Sequence, residues 1–139
     1  MIALAEPEAG LQLQQSGSTS VTHRSVLVVD DSPAIVETLS TFLTLEGYEV
    51  RQAFDGREAL ESVRVEPPDV IVLDLWMPVM DGRSFLRRLR ALPSSTRDVP
   101  VVVITADPRA LAESLSADAV IPKPFEIDSL LRVVNDVVH

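Results

Sequence analysis

Three uninterrupted apolar runs, at residues 26–29 (VLVV), 70–73 (VIVL) and 101–104 (VVVI), constrain this chain more than any other feature. Each is too short for a helix, is rich in β-branched side chains, and lacks the polar alternation of a strand with one wet face. Strands buried on both faces of a parallel sheet have this pattern, because helices cover the sheet above and below. Residues 48–50 (YEV) and 119–121 (AVI) are weaker candidates for a second and a fifth strand.

The segments between the runs have helical signals. Pro33 suits the first helical position after Asp31 or Ser32 as cap, and Gly47 is placed to end that helix. Asp55-Gly56 opens a second helix that stops before Pro67-Pro68. The third covers 82–92, with Phe85, Leu86 and Leu89 on one face, and a short fourth covers about 108–115. The fifth runs from Phe125 onward, with Ile127, Leu130, Leu131, Val134 and Val138 at spacings of three and four. Alternating β and α elements joined by right-handed crossovers predict a doubly wound α/β sandwich.

Residues 1–24 differ, with polar and small residues and little to bury. They are expected to form a flexible N-terminal extension to a single domain at 25–139. The chain of 139 residues is long enough for one core. It has no Cys, which excludes disulfides, thiolate chemistry and Cys-ligated metals. A net charge of −9 disfavours nucleic acid and anionic membrane surfaces as partners. No apolar run approaches the roughly 20 residues that span a bilayer, and the apolar start is too short for a signal peptide. These features lead us to expect a cytoplasmic protein.

The residues at the end of each run carry the chemistry. The first run leads into Asp30-Asp31, the second into Asp74, the third into Thr105, and the fifth strand into Lys123. In an open parallel sheet these C-terminal ends share one rim, where ligands bind. Singly, each has an ordinary explanation as a helix cap, a turn residue or a solvated lysine. Such explanations do not account for three carboxylates, a hydroxyl and an ammonium arriving together.

Close carboxylates repel and raise one another's pKa unless a cation lies between them. Mg²⁺ fits, being a hard ion held by carboxylates, water and phosphate oxygens. Phosphoryl transfer needs an in-line nucleophile and stabilised equatorial oxygens. Asp74 as nucleophile, a metal on Asp30 and Asp31, the Thr105 hydroxyl and the Lys123 cation supply those parts.

The pieces Val-Val-Asp30-Asp31-Ser-Pro, Leu-Asp74-Leu-Trp-Met-Pro-Val-Met-Asp81-Gly82, Ile-Thr105-Ala106 and Lys123-Pro124-Phe125 resemble the receiver domains of bacterial two-component response regulators, from about Ser25 to the C-terminus. The resemblance implies a flavodoxin-like (βα)5 fold with a five-stranded parallel sheet in the order 2-1-3-4-5. It implies Asp74 as phosphoacceptor. Mg²⁺, or Mn²⁺ as the alternative ion, would be held by Asp30, Asp31, Asp74 and the Trp76 backbone carbonyl. Thr105 and Ala106 would contact the phosphoryl group together with Lys123, which a cis peptide joins to Pro124. Asp81-Gly82 would form the turn after the acceptor loop, with Gly82 supplying unusual backbone angles.

Two departures from the family pattern stand out. The usual switch aromatic, three residues before the lysine, is replaced by Val120. Thr105 and Lys123 are only 18 positions apart, so the fourth helix or its leading loop is shortened. Trp76 and Asp107 lie two positions beyond the acceptor and the threonine, where the resemblance implies control of water access to the phosphoryl group.

The expected function is a phosphorylation-dependent switch, a stand-alone receiver that takes its phosphoryl group from a histidine kinase or histidine phosphotransfer protein. Output would be by protein–protein contact, from a monomer or weak homodimer. The alternative is a receiver-like binding module that works without phosphorylation. An enzyme acting on external substrates is not expected. A phosphatase of the haloacid-dehalogenase type needs a second Asp two residues after its nucleophile, where this chain has Trp76, and no Gly-rich phosphate loop is present. His23 and His139 lie at the ends of the chain and carry little functional weight.

Overall fold

The structure, a computed structural model, describes residues 24–107, 109 and 116–138. The proposed extension, apart from Arg24, lies outside the described residues, as do His23, His139 and nearly all of the fourth helix expected at 108–115. Strands β1 (Ser25–Val29), β2 (Glu49–Ala53), β3 (Val70–Asp74), β4 (Val101–Thr105) and β5 (Ala119–Pro122) form one sheet. Its order is β2-β1-β3-β4-β5 and every pairing is parallel. The helices are α1 (Pro33–Leu45), α2 (Gly56–Val65), α3 (Gly82–Arg90), a short α4 (Ser94–Arg97) and α5 (Ile127–Val137). The doubly wound fold and its strand order are as expected.

The continuous apolar runs arise because the period-2 alternation of a strand sends neighbouring side chains to opposite faces, and both faces are dry. Leu27, Val29, Ile71, Leu73, Val101 and Val103 pack with Ala59, Leu60 and Val63 of α2 and Phe85, Leu86 and Leu89 of α3. Val26, Val28, Val70, Val72, Val102 and Ile104 pack on the other face with Val36, Leu39 and Leu43 of α1 and Leu130 and Val134 of α5. Each buried Val, Leu, Ile or Phe side chain contributes about 1.5–3 kcal/mol relative to exposure.

Local chemistry sets the helix ends. Ser32 caps α1 by accepting from the Ile35 N–H. At the other end Gly47 takes φ +97°, its N–H donates to Thr44 O, and the Tyr48 N–H donates to Leu43 O. Those two bonds satisfy carbonyls that the last turn leaves open. Asp55 caps α2 and Asp81 caps α3 through the N–H groups of Glu58 and Ser84.

Several boundaries differ from expectation. The second strand starts at Glu49 rather than Tyr48 and continues through polar Arg51 and Gln52 to Ala53. It is an edge strand, so these side chains need not be apolar, and Arg51 donates to the carbonyls of Ser62 and Glu66 at the end of α2. The third helix stops at Arg90, and the separate turn α4 follows Pro93. The fifth begins at Ile127 rather than Phe125.

Candidate functional site

The C-terminal ends of β1, β3, β4 and β5 emerge on one rim and carry most of the expected residues. β1 and β3 are neighbours whose chains leave toward opposite faces of the sheet, so a cleft opens between them. Asp30 follows β1, its N–H donating to Ala53 O across the sheet. Asp74 is the last residue of β3. Asp31 is exposed beside them. Carboxylate oxygens of Asp30, Asp31 and Asp74 all lie within 4.8 Å of one another.

Lys123 reaches this cluster from β5. Its N–H donates to Thr105 O at 2.8 Å, extending the β4–β5 pairing by one step. Its Nζ lies 3.5 Å from Asp30 Oδ2 and 3.6 Å from Asp74 Oδ1. The Lys123–Pro124 peptide is cis. Asp30 Oδ1 accepts from the Ser32 N–H, and Asp74 Oδ1 accepts from the Trp76 N–H at 3.3 Å.

One ammonium thus faces three carboxylates, two of them nearly inaccessible to water: Asp30 is 1% and Asp74 4% exposed. Burial pushes the Asp74 pKa up to about 6, the Asp30 charge adds to the shift, and Lys123 opposes it without cancelling it. Burial raises Asp30 as well. A cluster with this excess of buried negative charge and oxygen donors matches the donor set of a hard divalent cation.

Thr105 ends β4, buried, with Ala106 exposed after it. The Thr105 Oγ1 accepts from the Asp107 N–H at 3.0 Å. Val120 is half-buried in β5 and packs against the α2/α3 side of the core, as do Met77 and Met80. Trp76 projects from the loop after β3 and is 57% exposed.

The turn after β3 corrects one expectation. The left-handed backbone angle falls on Val79, at φ +68°, and not on Gly82. Gly82 is required for a different reason. Its N–H donates to Leu75 O, and a Cβ there would lie 2.6 Å from Asp74 O and 2.7 Å from Leu75 Cα. The start of α3 therefore lies directly against the backbone that carries Asp74, while Asp81 caps the helix.

Sequence reasoning did not find the surroundings of Asp107. This buried carboxylate accepts from Arg109 N–H at 3.0 Å and Arg109 Nε at 3.1 Å, and lies 3.6 Å from Arg83 Nη2 of α3. The hydrogen bonds from Arg109 hold its carboxyl below the usual range, and Arg83 adds to the effect. A signal was present in the sequence, since Arg83 occupies the first turn of a helix, where the helix dipole disfavours a cation.

A family model described as the response regulator receiver domain matches residues 26–135. The transcriptional regulatory protein PrrA of Mycobacterium tuberculosis is 44% identical over 121 residues, which are 84% of this chain and 51% of that protein. The chain spans about half the length of the curated relatives it matches. The chemotaxis response regulator CheY4 of Vibrio cholerae superposes with a TM-score of 0.77 at 35% identity, covering 84% of this chain and 100% of that one. The response regulator TrrA of Thermotoga maritima, solved in complex with Mg²⁺ and a beryllium fluoride, gives a TM-score of 0.75 at 32% identity, with 83% and 99% covered.

Proposed function

Because this chain belongs to the response regulator receiver domain family, which implies phosphorylation-dependent two-component signalling, we propose that it is a switch that accepts a phosphoryl group on Asp74. The observation that carries this reading is the convergence of Asp30, Asp31 and Asp74 within 4.8 Å, with Lys123 alongside. The donor is a histidine kinase or histidine phosphotransfer protein, and output is by protein contact. No turnover of external substrates is proposed. No described helix is long and apolar enough to cross a membrane, and we propose a cytoplasmic location.

Asp74 presents a carboxylate oxygen as the nucleophile toward phosphorus. The Trp76 N–H and Lys123 Nζ both contact its Oδ1, which orients the group. Lys123 also supplies fixed positive charge for the oxygens of the incoming phosphoryl group. Thr105, with Ala106 beside it, offers a hydroxyl to one of those oxygens. Mg²⁺, with Mn²⁺ as the alternative, would be held by Asp30, Asp31, Asp74 and the Trp76 carbonyl, and would neutralise charge that builds up on the phosphoryl oxygens. Val120 leaves the usual aromatic position aliphatic, so the readout of this receiver differs from the family pattern.

The test is labelling of the purified protein with acetyl phosphate. The expected result is a Mg²⁺-dependent, base-labile adduct that disappears in the Asp74→Ala variant. Absence of label, under conditions that modify another receiver, would favour the phosphorylation-independent binding module instead. A second expectation concerns Trp76, whose side chain is exposed two residues from the acceptor and which we propose shields the phosphoaspartate from water. The Trp76→Ala variant should lose its phosphoryl group faster than the unsubstituted protein. An unchanged or slower decay in a dephosphorylation time course would rule out that shielding.

A further inference from the structure

We infer that Asp107, held by Arg83 of α3, is a positioning residue that keeps the Thr105 hydroxyl engaged with its own turn and so couples the acceptor site to the start of α3. The inference rests on the acceptor reading above and adds the element that senses it. Among the described residues, the Thr105 hydroxyl is bonded to the Asp107 N–H at 3.0 Å and makes no hydrogen bond to Asp30, Asp74 or Lys123. The turn that sets this geometry is anchored by a carboxylate that is itself only 8% exposed.

Two arginines anchor that carboxylate, and they are not equivalent. The Arg109 side chain is 80% exposed, and its pair with Asp107 spans only two residues. A pair so open to solvent is screened and worth little. Arg83 is 29% exposed on its side chain and belongs to α3, so its contact with Asp107 at 3.6 Å joins two elements. The same helix begins at Gly82, whose N–H bonds the Leu75 carbonyl one residue after Asp74. The start of α3 therefore touches both the acceptor strand and the Thr105 turn.

A phosphoryl group on Asp74 draws the Thr105 hydroxyl toward its oxygens. The hydroxyl then leaves the Asp107 N–H, and the turn carrying Asp107 shifts relative to Arg83. Linkage is reciprocal: if occupancy of the acceptor weakens the Arg83–Asp107 contact, then removing that contact strengthens occupancy by the same factor.

The experiment measures the affinity of the full chain for beryllofluoride, a phosphoryl mimic, in saturating Mg²⁺ by titration calorimetry. The variants are Arg83→Gln, Asp107→Asn and the double substitution. Both single variants should bind tighter, about 5-fold for the coupling typical of linked sites. Asp107→Asn should change at least as much as Arg83→Gln, because it removes the carboxylate's contacts with both Arg83 and Arg109. The double variant should gain nothing beyond Asp107→Asn, since that change already removes the Arg83–Asp107 contact.

A direct field effect predicts opposite signs instead: losing Arg83 would weaken anion binding, and losing the Asp107 charge would strengthen it. Opposite signs, or unchanged affinity in both single variants, would overturn the positioning role while leaving Asp74 as acceptor. Failure of the unsubstituted protein to bind beryllofluoride in Mg²⁺ would overturn the acceptor reading itself, and the positioning role with it.

Discussion

Replacing Asp74 by Asn should make the metal-free protein more stable at neutral pH. The folded pKa of Asp74 is about 6 against an ordinary value of 3.8. The folded state therefore binds a proton that the unfolded chain has already released, and stability falls as pH rises through that window. The destabilisation is absent below about pH 4, grows between about pH 4 and 6, and is complete above that range. A shift of about two pH units corresponds to about 3 kcal/mol, large beside a total stability of about 5–15 kcal/mol.

Asparagine keeps the shape without the charge, so the variant should gain about 1–3 kcal/mol at pH 7.5 in EDTA, or roughly 5–10 °C in the unfolding midpoint. At about pH 3.5, below the ordinary value of 3.8, the two proteins should nearly coincide. Saturating Mg²⁺ should shrink the difference at pH 7.5, because a bound cation stabilises the carboxylate form selectively. Thermal unfolding followed by circular dichroism measures all three conditions. Equal midpoints at pH 7.5 in EDTA would mean that solvent or counterions already relieve the cluster.

The second large effect is expected at Gly82. Alanine is ordinarily favoured over glycine in a helix by about 1 kcal/mol. Here its Cβ would meet Asp74 O at 2.6 Å and Leu75 Cα at 2.7 Å, both backbone atoms at the end of a central strand. No side chain can swing away to make room, so either α3 or the exit of β3 must move. Gly82→Ala should cost about 2–4 kcal/mol, in the upper range for overpacking.

The molecules that remain folded should also label poorly with acetyl phosphate, because the displaced backbone carries the acceptor. Gly47 is the natural comparison: its surroundings are open and only its φ of +97° is unfavourable for alanine. Gly47→Ala should therefore cost nearer 1 kcal/mol and leave labelling unchanged. Urea unfolding of both variants separates the two causes. A Gly82→Ala protein as stable as the parent would show that the start of α3 can shift freely, contrary to the tight contact.

Much of the fold was legible because its signals are local. The runs at 26–29, 70–73 and 101–104 match β1, β3 and β4 to within one residue, since full burial leaves an apolar signature wherever both faces are covered. Ser32, Asp55 and Gly47 marked their helix ends through bonds made within a few residues. β2 was harder: as an edge strand it holds Glu49, Arg51 and Gln52, so the sequence marked only a weak candidate at 48–50, and the pairing with β1 sets its extent. The start of α5 was missed by two residues because Phe125 packs on the core without being helical.

The sequence by itself determined which reactive groups end the strands. A buried strand has to finish where its apolar run finishes, and in a parallel sheet those ends share one rim. Only the tertiary structure decided how those groups interact. Lys123 is 93 positions from Asp30, and nothing in either neighbourhood states that 3.5 Å separates them. The raised pKa of Asp74 comes from desolvation, which depends on everything packed around a carboxylate and on nothing adjacent in the chain. For the same reason the need for glycine at 82 and the Arg83–Asp107 contact are invisible in one dimension. Each exists because α3 is pressed against the ends of β3 and β4, and that approach is set by the core beneath it.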